Sequence, residues 1–174
     1  MRACLLLCAL PAAAEERIPA ALKPAGDAQL LFTAEASGVQ IYRSSAEAGG
    51  ALHWELEAPL ARLTGAGHIV IYHYAGPSWE AADGSKVARD PAVPVVSAQP
   101  ADPADIPSLL ITVAPDPAPG ILAHVAYVER LATHGGAAPS TPPVRAGTHI
   151  GIPYTATYAF FAKAGSDAEA EKGS

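Results

Sequence analysis

The chain has 174 residues, half of them hydrophobic and 16% charged, with a formal net charge of -6. That acidic balance disfavours nucleic acid and anionic membrane surfaces as partners, because both require a basic patch that displaces counterions. The 17 prolines and 15 glycines scattered along it break most helices before they reach useful length, so composition predicts one β-rich domain with room for a sizeable core.

Met1-Arg2, the apolar run Ala3 to Leu10 and the small residues Pro11 to Ala14 precede the charged Glu15-Glu16-Arg17. This is the pattern of a secretory leader cleaved after Ala14, and the run is too short to cross a bilayer, which takes about 20 apolar residues. Secretion or a periplasmic location is therefore expected, with no transmembrane segment. A lipoprotein reading through Cys8 is weaker, because bulky Leu7 stands where a lipobox carries a small residue. Both cysteines, Cys4 and Cys8, lie in this leader, so the mature domain is held by its core and not by disulfides. The expected layout is a leader over 1–14, a lead-in over 15–27, a β domain over 28–163 and a disordered tail over 164–174.

Strand-like segments then recur, each closed by turn residues. Leu30 to Ala34 runs into a turn at Ser37-Gly38, and Val39 to Tyr42 runs into the small polar stretch 44–50. Leu52 to Leu56 alternates, placing Leu52, Trp54 and Leu56 on one face. His68 to Tyr74 is rich in β-branched and aromatic residues, and Asp83-Gly84 signals a hairpin pairing Ser78–Glu80 with Lys86–Ala88. Five prolines between residues 90 and 107 confine any strand there to a short edge. Ser108 to Ala114 reads as a strand, followed by a turn over 115–120. Ile121 to Thr133 has helical spacing at Leu122, Val125 and Val128 but β-branched and aromatic members, and is read as a strand. Gly135 to Gly147 is a loop, and Ile150 to Phe161 is the last strand, with Tyr154, Tyr158 and Phe160 on one face.

The stretch 72–86 concentrates chemistry. Tyr72, His73, Tyr74, Trp79, Glu80 and Asp83 surround a Gly-Pro and an Asp-Gly, and flat amphipathic rings beside acceptors suit a small-molecule or carbohydrate ligand. Tyr42 is a further aromatic candidate. A paired His73 and Glu80 could instead perform general acid-base work if the intervening turn brought them together. The bland alternative has Trp79 plugging the core. No cofactor is expected, and the six histidines, His53, His68, His73, His124, His134 and His149, show no metal-ligand spacing. Ser78, Ser85 and Ser108 have no nucleophile elbow around them.

Several runs resemble the secreted bacterial and fungal family called domain of unknown function 3455. These are Gly38 to Arg43, His73 to Glu80 continuing to Asp83–Val87, Ile106-Pro107 with Leu109-Leu110, Gly120 to Leu122, Gly135-Gly136 and Pro153 to Ala156. The resemblance implies no activity. Relatives usually carry a cysteine where this chain has Ser44 and a second in the loop that here reads Pro139 to Pro143, so the resemblance implies one lost disulfide. Their usual tryptophan after Ile-Pro is Ser108 here. Some fungal relatives carry a malate dehydrogenase label, but no Gly-x-Gly-x-x-Gly joins a strand to a helix in this chain, which argues against a nicotinamide enzyme.

Together these readings predict an all-β, single-domain antiparallel sandwich or small barrel with little helix. The expected role is a non-enzymatic small-ligand or envelope-associated binding protein; the alternatives are a metal-dependent or general acid-base enzyme centred on His73 and Glu80, or a purely structural secreted protein.

Overall fold

The computed structural model describes residues 18–114 and 118–165. The expected leader, part of the 115–120 turn and most of the expected tail lie outside the described residues. The fold is all-β and antiparallel, as composition predicts. Its strands are β1 (Gln29–Ala46), β2 (Leu52–Gly65), β3 (Ile69–Tyr74), β4 (Ser78–Ala81), β5 (Lys86–Arg89), β6 (Val96–Ala98), β7 (Ser108–Ala114), β8 (Tyr127–Gly135) and β9 (His149–Ala162).

Each strand pairs with the next along the chain from β1 to β5 and from β6 to β9. The ring closes twice: β1 lies against β9 over most of its length, and β5 meets β7 through Ala88 opposite Ala114 and Arg89 opposite Val113. Eight strands therefore form a barrel, a size whose interior holds side chains or one small ligand. β6 pairs only with the first half of β7, dividing that edge with β5. The prolines around it keep it short and on an edge.

Two sequence expectations are corrected. Ser37-Gly38 is not a turn: β1 runs straight through it, with Gly38 opposite Ala61. A Cβ at Gly38 would stand 2.2 Å from the Leu60 carbonyl oxygen and 2.5 Å from the Ala61 Cα. The glycine permits close approach of two backbones; it does not reverse the chain. The segment 121–133 is also not one strand. Residues 121–124 form turns, and β8 starts only at Tyr127. The expected strand Leu52 to Leu56 is the start of the much longer β2; beyond a register shift between Ile41 and Tyr42, Leu56 lies opposite Tyr42 and is exposed at the barrel end.

Alternation along the strands fills one half of the barrel with apolar groups. Phe32 stacks on Phe160 with ring centroids 4.6 Å apart, and Leu63, Ile71 and Val128 are fully enclosed. The β7–β8 connection plugs this end with Leu122 and Val125. Asp83 and Ser85, in the turn between β4 and β5, tie the plug down: Asp83 Oδ2 accepts from Ile121 N at 2.8 Å and Ser85 Oγ from Leu122 N at 3.2 Å. At the opposite end Ser44 Oγ donates to the Arg145 carbonyl at 2.7 Å, and its backbone bonds Gly147 and Thr148. The position where the family resemblance implies a cysteine is thus joined to the β8–β9 loop by hydrogen bonds.

Candidate functional site

The hairpin β3–β4 splits the expected site residues between two faces. Tyr72 is opposite Glu80, and His73 is opposite Trp79. Strand alternation then sends Tyr72, Tyr74 and Glu80 outward and His73 and Trp79 into the barrel. Outside, Tyr74 donates to Glu80 Oε2 at 2.5 Å, the Lys86 ammonium lies 5.0 Å from the Tyr74 ring centroid, and Tyr72 is half exposed. His73 and Glu80 therefore cannot share a proton across the turn. Asp83 lies farther along the hairpin and is engaged by the fold. Its Oδ1 accepts from Ser85 N at 2.9 Å and Ser85 Oγ at 2.6 Å. The Ser85 hydroxyl, with the Ile121 amide, holds this carboxyl below its usual range.

Inside, His73 lies on Trp79, and Tyr158 meets both rings edge-on at 5.4 Å and 6.2 Å. His73 Nδ1 bonds the Ser78 carbonyl at 2.9 Å, so in the neutral ring Nδ1 donates and Nε2 is an acceptor. Burial, opposed by that bond and assisted by the Arg130 charge, pushes His73 down to about 4. It is neutral near pH 7.

His73 and Tyr158 border a pocket of about 320 Å³ at the end of the barrel away from the Leu122 plug. Such a volume is at the small end for a ligand site, about 300–1,000 Å³. Gly76 and Pro77 of the β3–β4 turn stand at its mouth, and Pro59, Leu109 and Ile111 supply apolar wall. Its polar groups come from Gln40, His73, Arg130 and Tyr158, with Glu57 at the rim. Gln40 is 2% exposed, and neither amide atom has a hydrogen-bond partner. A buried amide without partners costs on the order of 1–3 kcal/mol. Arg130 is 9% exposed; its Nε and Nη2 donate to the Pro107 carbonyl at 3.2 Å and 2.9 Å. No carboxylate among the described residues pairs with it. Its neighbour Glu129 faces the other side of the sheet, where burial raises its carboxyl. Tyr154 and Tyr158 hydroxyls lie 3.3 Å apart, and burial raises both phenols, keeping them protonated. Tyr42 also points inward, donating to the Gly136 carbonyl at 2.7 Å.

Among the expected site residues only His73 lines this pocket, with Trp79 supporting it from beneath. Gln40, Arg130 and Tyr158 were not singled out as site residues. Their signal is a polar side chain on the inward face of a strand, Gln40 in step with Ala36 and Gly38, Arg130 in step with Val128. No group of three or more His, Cys, Asp or Glu side chains suited to a metal occurs among the described residues, and none of their helices is long and apolar enough to cross a membrane.

A closed eight-stranded antiparallel barrel, plugged at one end and carrying a polar-based pocket at the other, is the class of protein these observations define. The family model described as Protein of unknown function (DUF3455) matches residues 24–162. The chain belongs to that family. No curated protein and no solved structure matches it.

Proposed function

We propose that this protein is an exported, non-enzymatic binding protein that takes one small amphipathic molecule into the open end of its barrel. Export is supported by the leader pattern over 1–14. Binding is supported above all by Gln40, a nearly inaccessible amide with both polar atoms unpartnered on the wall of a pocket. Buried polar groups are ordinarily satisfied, and an exception at a cavity points to a partner from outside the chain. Apolar walls on Pro59, Leu109 and Ile111 favour a ligand with a hydrocarbon body over an oligosaccharide.

The test is a thermal-shift screen of small amphipathic compounds against the wild type and Gln40→Met. Ligands of the native state raise the melting temperature by mass action. Some compounds should shift the wild type and not the variant, while the unliganded variant melts at the same or a higher temperature, since two unpartnered atoms have been removed. Shifts that persist in Gln40→Met, or no shift with any compound, overturn the reading.

A further inference from the structure

We infer that the ligand of this pocket is an organic monoacid, its carboxylate held by the Arg130 guanidinium and the Gln40 amide and its apolar body lying along Leu109, Ile111 and Pro59. The inference rests on the binding role proposed above and adds the chemical class.

The charge argument comes first. Arg130 carries a full positive charge inside the barrel, and among the described residues its hydrogen-bond acceptors are neutral, the Pro107 carbonyl and the Tyr158 hydroxyl. A guanidinium has five N–H donors, so these bonds leave it capacity for a further acceptor. Apart from Glu57 at the rim, no group lining the pocket offers a counter-charge: His73 is neutral, and the Tyr158 hydroxyl keeps its proton. A buried charge is costly unless paired. The pocket is thus locally positive in a chain whose net charge is -6.

Gln40 provides the second, independent observation. Its Nε2 is a buried donor without an acceptor, and its Oε1 a buried acceptor without a donor. One guanidinium and one amide N–H match the two oxygens of a carboxylate. A phosphate monoester, with more charge and three terminal oxygens, would leave acceptors unmet. Gln40 Oε1 and His73 Nε2 remain as acceptors, suited to a hydroxyl or amine near the carboxylate.

Glu57 is the one acidic group at the pocket, and it does not cancel this field. Its carboxylate sits about half exposed at the rim, 2.8 Å from His149 Nε2, where solvent and salt screen it far more than they screen Arg130.

The experiment measures Kd by tryptophan fluorescence for a series of monoacids, the straight-chain acids from hexanoate to dodecanoate and 4-phenylbutyrate, each beside its matching primary alcohol. Wild type, Arg130→Met and Gln40→Met are compared. The acid should bind wild type more tightly than its alcohol by roughly tenfold to a hundredfold, the range of a hydrogen bond to a charged group. Arg130→Met should erase that preference, and Gln40→Met should weaken the acid while keeping the preference. If Arg130→Met does not fold, as judged by circular dichroism, the preference in wild type and its survival in Gln40→Met decide the matter. Alcohols binding as well as acids, with Gln40-dependent shifts intact, overturn the acid assignment and leave the pocket reading standing. No binding by any acid also overturns it, whereas failure of the pocket reading itself shows as an absence of Gln40-dependent shifts in the broader screen.

Discussion

His73 lies flat on Trp79, with ring centroids 4.6 Å apart and planes 8° from parallel, and the barrel encloses both. This contact forces a choice of protonation state. Because burial holds His73 at about 4 in the folded protein and the unfolded value is about 6.5, the unfolded chain binds more protons between those values. Stability is then independent of this group above about pH 6.5 and falls as pH drops toward 4, by up to about 3 kcal/mol. His73→Phe, which keeps a ring on Trp79, should flatten urea-unfolding stability between pH 6.5 and 5. Carboxylates titrate mainly below that window. An unchanged slope in the variant would show that His73 is not the titrating group.

Much of the barrel was legible from local pattern. Ser108 to Ala114, the hairpin at Asp83-Gly84 and the shared face of Tyr154, Tyr158 and Phe160 all follow from alternation and turn chemistry. What escaped depended on partners distant in sequence. Gly38 looks like punctuation until Ala61 is laid across it, and ring closure rests on the two residue pairs between β5 and β7. The pocket escaped for a related reason: Gln40 and Arg130 are separated by ninety positions, and a single polar residue in a strand carries no mark of which face is enclosed. The aromatic cluster at 72–80 did mark a border of the pocket, but period-two geometry divided it between the two sides of the sheet.

Gly38→Ala should be strongly destabilising although nothing about its φ requires glycine. The added methyl would meet backbone atoms of Leu60 and Ala61, 2.2 Å and 2.5 Å away, which cannot rotate aside as a side chain could. Overpacking of this kind costs about 1–3 kcal/mol or more. Chemical denaturation of Gly38→Ala beside Gly49→Ala, where no heavy atom lies within 4 Å, measures the difference. Equal losses at both positions would rule out the close approach as the cause.

Asp83 is predicted to act on the plug at the closed end. Its carboxylate accepts from Ser85 and from the Ile121 amide, and these bonds favour its charged form. Their stabilisation is present above the ordinary aspartate range and is lost as pH falls through the lowered folded value. Asp83→Ala should accelerate amide exchange at Ile121 and Leu122 by about tenfold or more while leaving Phe160 protected, because only a local opening is made easier. A uniform acceleration across all strands would point to a global loss of stability.

Ser108 offers a place where stability can be gained. It opens β7, half-buried on the outer face, and borders a mostly apolar cavity of about 240 Å³ shared with Ile18, Pro19, Leu131 and Ala132. The family resemblance implies tryptophan at this position, and Ile18 and Pro19 of the lead-in segment line the space. Ser108→Trp should fill the cavity and bury apolar surface, with Thr157 in the same lining offering a hydroxyl to the indole N–H. Cavity filling typically contributes about 0.5–2 kcal/mol, a rise of a few degrees in melting temperature for a domain of this size. Ser108→Asp, which brings charge and little volume, should give no gain. A lower melting temperature for Ser108→Trp would mean that Ile18 and Pro19 already pack too closely to admit the ring, and the cavity would then be a consequence of the serine and not a site prepared for an aromatic side chain.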